Sequence, residues 1–286
     1  MIDRPNGDEE RSPDPSARAV DNARSSPVAI RVKDLTRSFT RDGSTVSALG
    51  PVSLDVRAGE FVVLLGPSGC GKSTMLNVMA GLLPPTEGEV EVEGVPISGV
   101  PSSIGMMFQK AVLLPWRTVR ENIVLPIEIA EGRKAAKEAR ARADRLLEMV
   151  GLSGFADRYP NELSGGMQQR AAICRMLIDE PSILLLDEPF GALDEFTREH
   201  MNVELLDLTR RLGRTAVLVT HSITEAVFLA DRVAVMSARP GRIVGVVDID
   251  LPSDRMPDIV TSPEFQGFVQ HARDLLRDSH ALEEQR

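Results

Sequence analysis

Aromatic side chains are scarce here: 286 residues carry one tryptophan, one tyrosine and 4% aromatics in all. Cysteine is also scarce, with two residues, so a disulfide framework is not expected and a reducing cytosol is. No apolar run approaches the roughly eighteen residues that a bilayer-spanning helix requires. The opening Met1-Ile2-Asp3-Arg4-Pro5-Asn6 lacks the apolar core of a secretory signal. Basic charge is in deficit, with 33 Lys and Arg against 42 Asp and Glu, a net charge of −9. That balance argues against a general nucleic-acid surface, so no nucleic-acid partner is expected. A chain of this length buries one substantial α/β core and a smaller lobe. If it works at a membrane, a partner brings it there.

Glycine, by contrast, is placed where chemistry needs it. Gly66-Pro67-Ser68-Gly69-Cys70-Gly71-Lys72-Ser73-Thr74 fits G-x-x-x-x-G-K-[ST]. It follows Phe61-Val62-Val63-Leu64-Leu65, which reads as a buried parallel strand, and a helix over 72–80 begins inside the motif. The glycines let backbone amides turn inward, and those amides with the helix N-terminus favour an anion. Lys72 adds a point charge near β- and γ-phosphates, and Ser73 offers its hydroxyl to Mg²⁺. A thiol adduct on Cys70, inside this motif, is expected to block nucleotide binding.

A second apolar run, Ile183-Leu184-Leu185-Leu186, ends in Asp187-Glu188-Pro189, acids at the strand end where open α/β sheets bind ligands. Asp187 is placed to hold Mg²⁺ and Glu188 to deprotonate a water. A third strand, Thr215-Ala216-Val217-Leu218-Val219-Thr220, ends at His221, where a γ-phosphate is sensed. Ser222-Ile223-Thr224-Glu225 then reads as a capping box that starts a helix. Leu163-Ser164-Gly165-Gly166-Met167-Gln168-Gln169-Arg170 opens another helix with a serine and two glycines, an anion socket with no nucleotide fold around it. Half of each of two sites predicts a chain that works as a pair.

Composition divides the rest. Residues 1–27 are mixed-charge, with prolines and serines, and read as a disordered tail. Alternation in Ile30-Arg31-Val32, Val52-Ser53-Leu54-Asp55-Val56 and Val90-Glu91-Val92-Glu93 predicts an antiparallel sheet with one wet face. Residues 110–163 turn helical, and 131–148 read as an exposed helix supported by i,i+4 pairs such as Glu138 with Arg142. Val233-Ala234-Val235-Met236 and Ile243-Val244-Gly245-Val246-Val247 read as a closing hairpin, followed by a short helix near 265–276.

Together these stretches resemble the ATP-binding subunit of an ATP-binding cassette (ABC) transporter, over residues 30–249. The resemblance implies an α/β fold: a P-loop NTPase core with a parallel sheet, an antiparallel β subdomain and an inserted α-helical subdomain. It implies an ATPase domain over 28–250, its helical subdomain at about 110–163, and a short C-terminal extension over 251–286. Residues 66–74 resemble the Walker A loop and Asp187 with Glu188 the end of Walker B. Gln109 resembles the Q-loop glutamine that touches Mg²⁺, and Gly191-Ala192-Leu193-Asp194 the D-loop. His221 resembles the switch histidine, and Phe39 is the candidate aromatic for stacking on adenine. Met167 and Gly191 depart from the commonest residues at their positions without removing a group the chemistry needs.

Leu113-Leu114-Pro115-Trp116-Arg117-Thr118-Val119 and Ser237-Ala238-Arg239-Pro240-Gly241-Arg242 resemble the importer branch for nitrate, sulfonates, taurine and bicarbonate. What this implies is an ATPase with Lys72, Glu188 and His221 as catalytic residues and ATP with Mg²⁺ as cofactors. It implies a homodimer in which Ser164, Gly165 and Gly166 of one copy close on nucleotide held by 66–74 of the other. Uptake of a small anionic or sulfonate-type solute would run through separate integral-membrane permease subunits, fed by a solute-binding protein. The chain would sit peripherally on the cytoplasmic face of the membrane. An ABC ATPase of another transporter branch, or a non-transport one, is the alternative.

Overall fold

The computed structural model describes residues 26–41 and 43–283, with side chains to residue 278. The tail expected over 1–27 lies, apart from Ser26 and Pro27, outside the described residues. The chain opens with β1 (Val28–Arg41) and β2 (Ser44–Arg57), antiparallel in the register Ile30↔Val56, Val32↔Leu54 and Leu35↔Val52. Alternation sorts the faces as expected: Ile30, Val32, Val52, Leu54 and Val56 are buried, while Arg31 faces water and pairs with Asp55 and Glu91.

A second sheet forms the centre. It contains β3 (Phe61–Leu65), β6 (Ile104–Met107), β7 (Ile183–Asp187), β8 (Thr215–Thr220), β9 (Arg232–Met236) and β10 (Ile243–Asp248). Their spatial order is β10-β9-β3-β8-β7-β6, all parallel except the β9–β10 hairpin. Every residue of β3 and β8 is buried, which is why both read as continuous apolar sequence rather than alternation. The first sheet is completed by β4 (Glu87–Val92), antiparallel to β1, and the short β5 (Val95–Pro96). Between the sheets runs α1 (Lys72–Met79), whose Met75, Leu76, Val78 and Met79 are fully buried.

The inserted lobe holds α2 (Val119–Ile123), α3 (Leu125–Glu131), α4 (Arg133–Glu138) and α5 (Arg140–Met149). Its apolar face, with Val119, Ile123, Ala143 and Leu147, packs on Ala171 and Cys174 of α6 (Gly165–Leu177). The single helix expected over 131–148 is broken at Gly132, which has φ +90°, and again at Ala139. That geometry turns Arg142 from Glu138 toward Glu180, 3.4 Å away, so the expected i,i+4 pair is not made.

α7 (Glu195–Arg211) and α8 (Ile223–Leu229) are followed by α9 (Pro263–Glu283). Phe265, Val269 and Ala272 of α9 are buried in the main core, so the C-terminal extension is packed on the ATPase fold.

Candidate active site

The carboxyl ends of β3, β7 and β8 meet on one edge of the parallel sheet, and the functional side chains gather there. The loop between β3 and α1 is built on backbone that only glycine holds cheaply. Gly69 has φ +77° and Gly71 has φ +105°, and a Cβ on Gly71 would sit 2.7 Å from the Ala48 carbonyl oxygen. Gly71 is the N-cap of α1, and no side chain caps that helix. No side chain competes for its first turn, and with the helix dipole the amides there make an anion site. Lys72 is buried, and its ammonium donates to the carbonyls of Gly66 and Pro67 at 2.8 and 2.9 Å. Ser73 Oγ donates to Asp187 Oδ1 at 2.8 Å, bringing two of the expected metal-ligating groups together. Burial pushes the Asp187 carboxyl above the usual range, and the Ser73 hydrogen bond opposes that rise.

Glu188 follows on a left-handed backbone, φ +42°, with its amide bonded to the Val219 carbonyl at 3.0 Å. A glutamate rarely adopts that conformation, and strain of this kind concentrates at functional sites. It aims the carboxylate toward the end of β8, where His221 Nδ1 lies 3.3 Å from Glu188 Oε2.

These groups line a cavity of about 530 Å³. Its walls include Ser68, Gly69, Gly71, Lys72, Ser73 and Thr74 of the loop, together with Gln109, Asp187 and Glu188. Phe39 joins them from the antiparallel sheet. The Phe39 ring is 40% exposed, with the Arg37 guanidinium 4.7 Å from its centroid. Glycines where a Cβ would clash, uncapped amides, an ammonium and clustered oxygen donors fit a nucleotide's phosphates with a hard cation.

Other expected residues lie elsewhere. Cys70 points into the core, and burial pushes its thiol upward, so a reagent does not reach it in the folded chain as the sequence suggested. Ser164, Gly165 and Gly166 open α6 on the surface and do not line the cavity. A Cβ on Gly166 would meet Thr197 at 2.9 Å, so this helix tip lies against the start of α7. Asp194 is the N-cap of α7, accepting from the Thr197 amide at 3.0 Å and its hydroxyl at 2.8 Å, which holds its carboxyl below the usual range.

The capping box at Ser222 is half made. The serine hydroxyl accepts from the Glu225 amide at 3.3 Å, but Glu225 turns inward to Thr220 and Asn202. There it is buried, and desolvation raises its carboxyl.

Sequence reasoning missed three cavity walls: Val46, Ala48 and Arg239. Val46 and Ala48 lie in an apolar-polar stretch with no motif, and Arg239 carried only a branch likeness. It also missed the clamp on the segment after Gln109. Gln169 of α6 donates to the Gln109 carbonyl at 3.4 Å, and Arg175 to those of Ala111 and Val112 at 2.7 and 2.9 Å. Buried Asn122 accepts from the Leu114 amide at 2.6 Å and donates to the Leu114, Arg117 and Thr118 carbonyls.

Comparison with known proteins bears on the same features. The ABC transporter family profile matches residues 49–191. The aliphatic sulfonates import ATP-binding protein of Bacillus licheniformis is 46% identical over 243 residues, 85% of this chain and 91% of that protein. The taurine import ATP-binding protein of Rhizobium johnstonii is 43% identical over 247 residues, 85% of this chain and 94% of its own. The nitrate import ATP-binding protein of Synechocystis is 42% identical over 254 residues, 87% of this chain and 95% of its own. Among solved structures, a dimeric post-hydrolysis ATP-binding cassette bound to ADP and Pi is 37% identical, with a TM-score of 0.68. That match covers 77% of this chain and 98% of the cassette. The chain belongs to the ABC transporter family as an ATP-hydrolysing, ATP-binding subunit, in the branch that holds its sulfonate, taurine and nitrate relatives.

Proposed function

We propose that this chain energises uptake of a small anionic or sulfonate-type solute, hydrolysing ATP in a site completed by a second copy of itself. The observation that carries the reading is the chain of contacts Ser73–Asp187, then Glu188–His221, at the mouth of a loop that leads into a helix with no side-chain cap. Lys72 leaves the Gly66 and Pro67 carbonyls and neutralises β- and γ-phosphate oxygens. Phe39 takes the adenine face, with Arg37 behind it. Glu188 accepts the proton of the attacking water, and His221 holds that carboxylate and the γ-phosphate in line. Ser73, Asp187 and Gln109 would hold Mg²⁺, which supplies charge neutralisation on the phosphate oxygens.

Ser164 and the amides of Gly165 and Gly166 from a second copy close the far side, presenting an uncovered helix N-terminus to the γ-phosphate. Asp194 stiffens the turn beside that tip. Dimerisation is supported by the exposure of both half-sites and by the dimeric state named for the solved cassette.

No helix among the described residues is long and apolar enough to cross a membrane, so translocation falls to separate permease subunits. A groove on the helical lobe, lined by Pro115, Arg120, Asp157 and Tyr159, suits a short permease helix. Trp116, 71% exposed next to Pro115, offers that helix an apolar contact. The clamp on residues 109–112 by Gln169 and Arg175 ties the segment leading into this groove to the helix that carries Ser164. The chain would then be peripheral on the cytoplasmic face, its solute delivered to the permease by a binding protein. The solute class rests on what the relatives are named for importing.

Deleting the gene in its host should abolish growth on one of nitrate, taurine or an alkanesulfonate as sole nitrogen or sulfur source. Restoration by the parent chain and not by Lys72→Ala would support the reading. Normal growth of the deletion strain on all three would refute the solute class.

A further inference from the structure

Besides Lys72, one other cation lines the nucleotide cavity. Arg239 comes from the turn between β9 and β10. That turn is firmly held. Its Gly241 amide donates to the Ala48 carbonyl at 3.0 Å, and its Gly241 carbonyl accepts from the Gly50 amide at 3.0 Å. Ser237 and Arg242 close it, with the Ser237 amide on the Arg242 carbonyl at 2.9 Å and the Arg242 amide on Ser237 Oγ at 3.2 Å. A Cβ on Gly241 would lie 2.0 Å from the Cys70 carbonyl oxygen, so the turn rests directly against the phosphate loop.

From this base Arg239 Nε donates to the Gly69 carbonyl at 2.9 Å, and Nη2 lies 3.1 Å from where a Gly69 Cβ would be. Only one of five N–H donors is used in that bond. Among the described residues no carboxylate lies within ion-pair distance of Arg239. The lining carboxylates, Asp187 and Glu188, are engaged with Ser73 and His221. An exposed guanidinium fixed at one nitrogen, with its remaining donors at an anion cavity, is arranged for a fork-like bond to phosphate.

We propose that Arg239 is a nucleotide-binding residue: its terminal N–H groups bond phosphate oxygens of ATP and ADP while its Nε braces the loop through Gly69. The inference rests on the cavity being the ATP site. It adds a second cation to Lys72, held at Gly69 where Lys72 is held at Gly66 and Pro67, from an element outside the nucleotide motifs.

Two roles, brace and phosphate contact, are separated by substitution. Arg239→Gln keeps a donor for the Gly69 carbonyl and loses the charge; Arg239→Lys keeps the charge and loses the fork. Titration calorimetry with Mg-ATP and Mg-ADP should show Arg239→Ala and Arg239→Gln weakened by about ten- to a hundredfold, the range for hydrogen bonds to a charged group. Arg239→Lys should recover most of that loss. In steady-state assays KM for ATP should rise by the same factor, with kcat within about threefold of the parent. Parental affinity in Arg239→Ala, or full rescue by glutamine, would overturn the proposal. Lys72→Ala is the control: if it too bound ATP as tightly as the parent, the cavity assignment itself would fall.

Discussion

Glu188 is the residue on which the proposed chemistry depends most directly. Its φ of +42° places a carboxylate at the sheet edge in a conformation that costs on the order of 1–3 kcal/mol. The amide bond to Val219 and the contact with His221 hold it there. Glu188→Gln preserves the shape and removes the proton acceptor. It should lower kcat for ATP by about a hundredfold or more while leaving the ATP dissociation constant within about threefold. Parental turnover in that variant would show that another group activates the water. Lys72, Ser73, Asp187 and His221 were each legible because a short motif or a strand end fixed their environment in advance. Arg239 was not legible, since it reaches the loop from 170 residues away through a turn with no chemistry of its own.

Elements were legible where their ends are marked locally. Ser164 and Ser222 each cap the helix that their sequence announces. The strands β3, β7 and β8 were visible as apolar runs because a sheet covered on both faces has no wet side. Glu225 misled because a buried partner, Thr220, outcompetes the helix cap for its carboxylate. Glu138 and Arg142 misled because the helix boundary at Ala139 falls between them, and Arg142 pairs with Glu180 instead.

The C-terminal extension hides the most consequential element contact. Arg255 is 3% exposed and donates to the Val227, Phe228 and Ala230 carbonyls at the end of α8. Burial pulls its guanidinium down to about 10. It remains charged at neutral pH, serving as the C-terminal cap that α8 lacks in its own sequence. Arg255→Met should leave those carbonyls unpaired and cost about 2–3 kcal/mol in denaturant unfolding, with ATP affinity retained in the folded fraction. An unchanged midpoint would mean that water or a neighbouring donor replaces the cap.

At the scale of the whole molecule, the cavity and the α6 tip lie apart on one chain, and the proposal makes them two halves of a shared site. The first is lined by Lys72, Ser73, Asp187 and Glu188. The second has an exposed serine and two glycines at a helix start, outside the lining of that cavity. That the two motifs lie apart was readable from their separation in sequence. What could not be read was how the halves are linked: Gln169 and Arg175 fasten the segment after Gln109 to the same helix that presents Ser164. Movement of that segment is thereby tied to the half-site that a second copy would receive. The direct test is the molar mass of Glu188→Gln by light scattering after gel filtration, with and without Mg-ATP. The account predicts a monomer without nucleotide and twice that mass with it, the dimer lost again in Glu188→Gln combined with Ser164→Arg. A strictly monomeric Glu188→Gln protein at saturating Mg-ATP would contradict it.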